Sequence, residues 1–147
     1  MADKRTRKAV YLKKLPVRAH HISSHFTSSM FPAASVLLTL FFITGGARFE
    51  LAAFYCIVFG TLAGPLTYGS GVFDWKTRFQ GRRTRIFDHK IFFGVMFLTL
   101  SLVLIVARIV WPEAILASGT LKWIYISLVY AATGCSIYLG YLGGKFI

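Results

Sequence analysis

Acidic residues are scarce in this chain: five Asp and Glu stand against 17 Lys and Arg over 147 residues. Charge of either sign amounts to only 15%, where soluble domains carry about 25%. Four stretches lack it altogether: Phe26 to Ala47, Leu51 to Phe73, Ile91 to Ala107 and Trp123 to Gly144. Each is roughly 17 to 23 residues long, and a spanning helix needs about 20. With 56% hydrophobic residues and a mean hydropathy of +0.62, an ordinary soluble domain is excluded. The sequence reads as all-α, an integral membrane bundle of four transmembrane helices, with spans at about 26–47, 51–73, 91–110 and 122–144.

Other absences narrow the chemistry. There are two cysteines, Cys56 and Cys135, each inside a span, and no C-x-x-C or C-x-x-C-H to hold a redox disulfide or a covalent haem. Both are expected as small buried residues. No G-x-S-x-G, Walker or H-E-x-x-H pattern is present, so hydrolytic and nucleotide chemistry have no support. No A-x-A-like site follows a short apolar region, so no secretory signal peptide is expected. A transporter is disfavoured because no charge lies in mid-span.

The basic residues that are present are strongly segregated. Seven precede His20, six lie between Lys76 and Lys90, and Lys145 follows the last span, leaving Arg48, Arg108 and Lys122 for the other side. The positive-inside rule then places both termini and the 74–90 loop in the cytoplasm. The charge is read as topology and attraction to anionic lipid, with no nucleic acid as partner, since the aromatics sit mostly in spans. Residues 1–15 read as a mobile basic cytoplasmic tail, with a helix expected near Val17, after Pro16, opening a four-helix domain over 16–147.

Small and polar residues recur at helical spacing. His21, Ser24, Ser28, Pro32, Ser35 and Thr39 form one stripe, and Cys56, Gly60, Gly64, Thr67, Gly71 and Asp74 form another. Gly60 and Gly64 have the spacing that lets helix backbones approach. Pro32 and Pro65 are expected to kink their helices, and Asp88 to cap the third. Arg108 is expected to snorkel to the outer interface, and Trp111 and Trp123 to flank an outer loop that includes Pro112, Ser118 and Gly119.

The histidines are the sharpest functional signal. His20, His21 and His25 precede the first span, and His89 precedes the third, so all four share one membrane depth with Asp74 and Trp75. His21 and His25 are one turn apart, about 6 Å along a helix, and with His89 form a candidate metal set. Alternatively one of them pairs with His89 across the bundle as axial ligands of a b-type haem, haem b. Phe26, Met30, Phe92, Phe93 and Met96 would line the slot, and Asp74 would hold a ligand imidazole by its other N–H. The loop's arginines could clamp the propionates. Each histidine can equally serve only to hydrogen-bond helix ends or lipid phosphates.

Taken together these residues resemble a bacterial family of small four-span membrane proteins, the domain of unknown function 2231. Its pattern has a histidine, then His-Phe, before span one, matched by His20 and His25-Phe26. Ser70-Gly71-Val72-Phe73-Asp74-Trp75 matches the element after span two, His89 the start of span three, and Gly143-Gly144 the end of span four. His21 and Thr27 stand where the family has proline. The resemblance implies a redox setting in a bacterial inner membrane, with His20, His25, Asp74, Trp75 and His89 as the site and His21 as a local addition. The expected function is therefore a haem-binding electron-transfer protein or redox-complex subunit, with other membrane or redox subunits, or quinone, as partners. The alternative is a cofactor-free structural or anchor subunit of a larger membrane complex.

Overall fold

A computed structural model describes the backbone of residues 4–112 and 119–145, and side chains from His20 onward. Among the described residues there are four helices: α1 (Lys4–Thr44), α2 (Ala47–Arg78), α3 (Arg85–Val110) and α4 (Thr120–Gly144). No strand occurs among the described residues. Each helix contains a stretch long and apolar enough to cross a membrane: His20–Thr44 in α1, and the full lengths of the other three. Side chains such as Ile22, Ile43, Leu62, Leu66 and Ile109 are at least two-thirds exposed, a surface that suits lipid and not water. The fold is that of a multi-pass membrane protein. Glu113 and Ser118 of the connection before α4 lie outside the described residues.

The helices run alternately up and down, and each packs on its neighbours in a closed ring: α1 on α2, α2 on α3, α3 on α4, and α4 on α1. The α1–α2 connection is tight. Gly45 takes a left-handed φ of 70° and its N–H closes on the Phe41 carbonyl at 2.8 Å, which ends α1 where a side chain would be strained. Phe31 of α1 and Phe97 of α3 meet edge-on across the middle of the ring, 4.6 Å between centroids, and fill it.

The glycines of α2 serve two different neighbours. A Cβ on Gly60 would stand 2.8 Å from the Phe31 ring, and one on Gly64 would stand 2.5 Å from Leu98 Cδ2. Gly60 thus admits α1 and Gly64 admits α3, and the pair is not one contact face. Pro32 and Pro65 lie inside α1 and α2 without interrupting either helix.

Two helix boundaries and one side-chain direction differ from the sequence reading. The α1 helix begins at Lys4, not near Val17, because residues 4–15 are rich in Lys, Arg, Ala and Leu, all good helix formers. Thr84, not Asp88, is the N-cap of α3: its hydroxyl accepts the Phe87 N–H, and Asp88 sits in the first turn. Arg108 does not snorkel outward. It turns into the bundle, where a carboxylate awaits it.

Candidate functional site

At one end of the bundle His20 is held between α1 and α2. Its Nδ1 lies 3.0 Å from the Thr67 carbonyl and 3.2 Å from Ser70 Oγ. A carbonyl can only accept, so Nδ1 carries the proton and donates. Ser70 Oγ in turn donates to the Leu66 and Thr67 carbonyls. Gly71, the next residue, leaves room for the ring: a Cβ there would stand 3.0 Å from His20 Cε1, and the imidazole would have to shift. The Ser70-Gly71 pair is therefore the seat of an imidazole, which gives that motif a physical meaning. One turn deeper Thr27 and Thr67 hydroxyls meet at 3.4 Å.

Asp74 of α2 and Lys90 of α3 lie within electrostatic reach of His20, as does His21. Asp74 also acts on Lys90. This makes a small three-helix group of His20, Asp74 and Lys90. Asp74 makes no hydrogen bond to an imidazole among the described residues, so it does not orient one. Trp75 serves the α2–α3 turn: its indole N–H donates to the Arg82 carbonyl at 2.9 Å, and its ring packs on Phe87.

The other histidines go elsewhere. His89 of α3 shares a 2.8 Å hydrogen bond between Nδ1 and the Tyr138 hydroxyl of α4, with Phe93 packed on both rings. His21 and His25 are exposed. Their carbonyls accept from Ser24, Ser28 and Ser29, which are local contacts along α1.

The two cofactor expectations can be set against this geometry. Among the described residues no three His, Cys, Asp or Glu gather as a metal ion would need, so His21, His25 and His89 are not assembled into a ligand set. A haem needs two imidazoles facing one slot. Here His20 is fastened toward α2 and His89 toward α4, and the expected slot residues are dispersed. Phe26 and Phe92 are exposed, Met30 sits beside Gly60, and Phe93 is packed on Tyr138. Two open concavities among the described residues, one at the α2–α3 turn and one between α1 and α2, have no histidine in their linings.

Sequence reasoning missed a largely buried ion pair. Glu50, at the far end of α2, is 3% exposed and takes a bidentate hydrogen bond from Arg108 at 2.6 and 3.0 Å. Phe54 lies under the guanidinium, and Tyr125 of α4 lies within its electrostatic reach. The available signal was depth: Glu50 is in the first turn of α2 and Arg108 in the last turn of α3, so antiparallel packing brings them level. The α1–α4 contacts Ser35–Thr133 (2.7 Å) and Thr39–Tyr130 (2.6 Å) are half legible. The α1 stripe includes Ser35 and Thr39, whereas the small-residue stripe of the last span, Ala132, Ser136, Gly140 and Gly144, includes neither Thr133 nor Tyr130.

Compared with protein-family models, with curated proteins and with solved structures, the chain gives no match. The resemblance noted from the sequence rests on its four motifs alone.

Proposed function

We propose that this protein is a structural membrane subunit, an anchor and not a reaction centre, lying in a bacterial inner membrane with both termini and the basic α2–α3 turn on the cytoplasmic side. The observation that carries the reading is the use made of the imidazoles: His20 and His89 are each spent on a hydrogen bond to a neighbouring helix. Both bonds fasten one end of the bundle, as polar glue does between membrane helices. The orientation follows from the placement of the basic residues. Assembly into a larger membrane complex would give such an anchor its use.

A second reading has one observation in its favour. Because Nδ1–H of His20 donates to a carbonyl, its Nε2 keeps the lone pair, which is the arrangement a ligating histidine uses. A b-type haem would then take His20, in place of the exposed His21 and His25, and would need His89 to leave Tyr138 and turn toward it. The haem would supply one-electron chemistry. One experiment separates the readings. The protein is purified in mild detergent and its visible spectrum recorded oxidised and reduced, alongside His20→Ala and His89→Ala. The structural reading expects no Soret band in either state and lowered unfolding midpoints for both variants. A Soret band that either substitution abolishes overturns it in favour of haem.

A further inference from the structure

The α2–α3 turn is built more firmly than membrane topology requires. Positive-inside orientation needs only a number of basic residues near the span ends, and a loose loop would supply them. Here residues 79–84 are closed by a set of hydrogen bonds: Phe79 and Gly81 N–H both reach the Trp75 carbonyl, at 3.2 and 3.1 Å, and Arg82 N–H reaches the Phe79 carbonyl at 3.0 Å. The Trp75 indole returns to the Arg82 carbonyl, which ties the far side of the turn to α2. Gln80 and Gly81 both take left-handed φ, 54° and 67°, so the chain reverses within two residues. Beneath it, the Phe87 ring packs on Phe79 at 5.1 Å and on Trp75 at 6.0 Å.

This frame supports a concavity lined by Arg78, Phe79, Gln80, Arg82, Thr84 and Phe87. The residues that line it include two arginines, a glutamine and a threonine beside two phenylalanines, and no acidic residue. The Arg78 guanidinium lies 5.7 Å from the Phe79 ring centroid, which restrains a side chain that would otherwise be free to swing. Arg83 and Arg85 are exposed just outside it. Guanidinium forks match the geometry of phosphate oxygens, and restraining the one on Arg78 beforehand lowers the entropic cost of binding. Arg82, also exposed, has its backbone fixed by the turn.

We infer that this turn is a binding site for the phosphate of an anionic phospholipid headgroup. Phosphate is the chemistry that two arginines and two neutral donors recognise. The lipid is favoured as its source by position, since the turn leaves two span-length helices with no intervening segment and so sits at headgroup depth. Electrostatic attraction of basic residues to an anionic leaflet adds to the fixed contacts.

Native mass spectrometry of the full, delipidated chain in detergent tests this, with phosphatidylglycerol and phosphatidylcholine as probes and inorganic phosphate as competitor. The double variant Arg78→Gln/Arg82→Gln is compared with Arg83→Gln/Arg85→Gln, which removes the same charge outside the concavity. Circular dichroism checks that both fold, and Arg78→Lys/Arg82→Lys keeps charge while removing the forks. The expected result is preferential retention of phosphatidylglycerol, weakened by about tenfold in the Arg78/Arg82 variant and much less in the Arg83/Arg85 variant, with the lysine variant between. Equal losses in the two glutamine variants, or none, overturn the site. Displacement of the lipid by millimolar inorganic phosphate overturns the lipid as its occupant and assigns a free anion.

Discussion

Arg108 closes on Glu50 with both arms of a fork, 58 residues away in the chain and at the opposite end of the bundle from the histidines. The pair joins the first turn of α2 to the last turn of α3. Each charge complements its own helix dipole, an acid at an N-terminus and a base at a C-terminus. Inside apolar surroundings, each charge is tolerable only because the other is present.

Removing one partner should therefore cost more than removing both. Glu50→Gln takes the carboxylate charge away from Arg108 and is expected to destabilise the bundle by about 3 kcal/mol, toward the lower end for a buried pair because the Arg108 side chain keeps 15% exposure. The double variant Glu50→Leu/Arg108→Met should recover most of that loss. Unfolding in mixed micelles with increasing SDS, followed by circular dichroism, measures both. A single variant that costs under about 1 kcal/mol would show the pair to be water-exposed in practice.

The contrast between this pair and the histidines shows what a sequence discloses. Four uncharged runs and the depth shared by His20, Asp74 and His89 are one-dimensional facts, and they are legible. Which way a ring turns is not. His20 turns to α2 because Gly71 leaves room for it, and His89 turns to α4 because Tyr138 offers a hydroxyl. Helical periodicity marks a face, but it does not say which of two neighbouring helices that face meets. The same ambiguity hid the division of labour between Gly60 and Gly64, and it made an outward Arg108 look natural until its depth was matched with Glu50.

That division of labour gives a second prediction. Gly60→Ala drives a methyl into the Phe31 ring, which is pinned against Phe97 and cannot retreat. Gly64→Ala meets only the end of Leu98, which can change rotamer. The first should cost about 1–3 kcal/mol as overpacking, and the second should be close to neutral, helped by the better helix propensity of alanine. Equal costs for the two would mean that both glycines face one rigid neighbour.

Among the clustered histidines only one should matter to stability. His20→Ala removes a half-buried inter-helix hydrogen bond and is expected to cost about 1 kcal/mol. His21→Ala and His25→Ala, both on exposed positions, should stay within about 0.5 kcal/mol of the parent. Gly71→Ala should mimic His20→Ala, because its methyl would displace the ring from its seat. The same SDS titration ranks all four. A cost at His25 as large as that at His20 would point to a contact that this arrangement does not contain.

Thr133 holds α4 to α1 through two bonds at once, sharing a hydrogen bond with Ser35 Oγ at 2.7 Å and standing 3.1 Å from the Phe31 carbonyl. The carbonyl can only accept, so Thr133 donates to it and must accept from Ser35. Ser35→Ala then removes one donor and leaves Thr133 its carbonyl bond, at a cost of about 0.6 kcal/mol, typical of a hydrogen bond between membrane helices. Thr133→Val keeps the shape, leaves the Ser35 hydroxyl without this partner, and takes away the bond to the carbonyl of the residue whose ring fills the bundle's centre. It should cost about twice as much. The double variant should be no worse than Thr133→Val alone, since the Ser35 hydroxyl has then already lost its acceptor. A double variant whose cost equals the sum of the singles would show that the two hydroxyls do not share a bond.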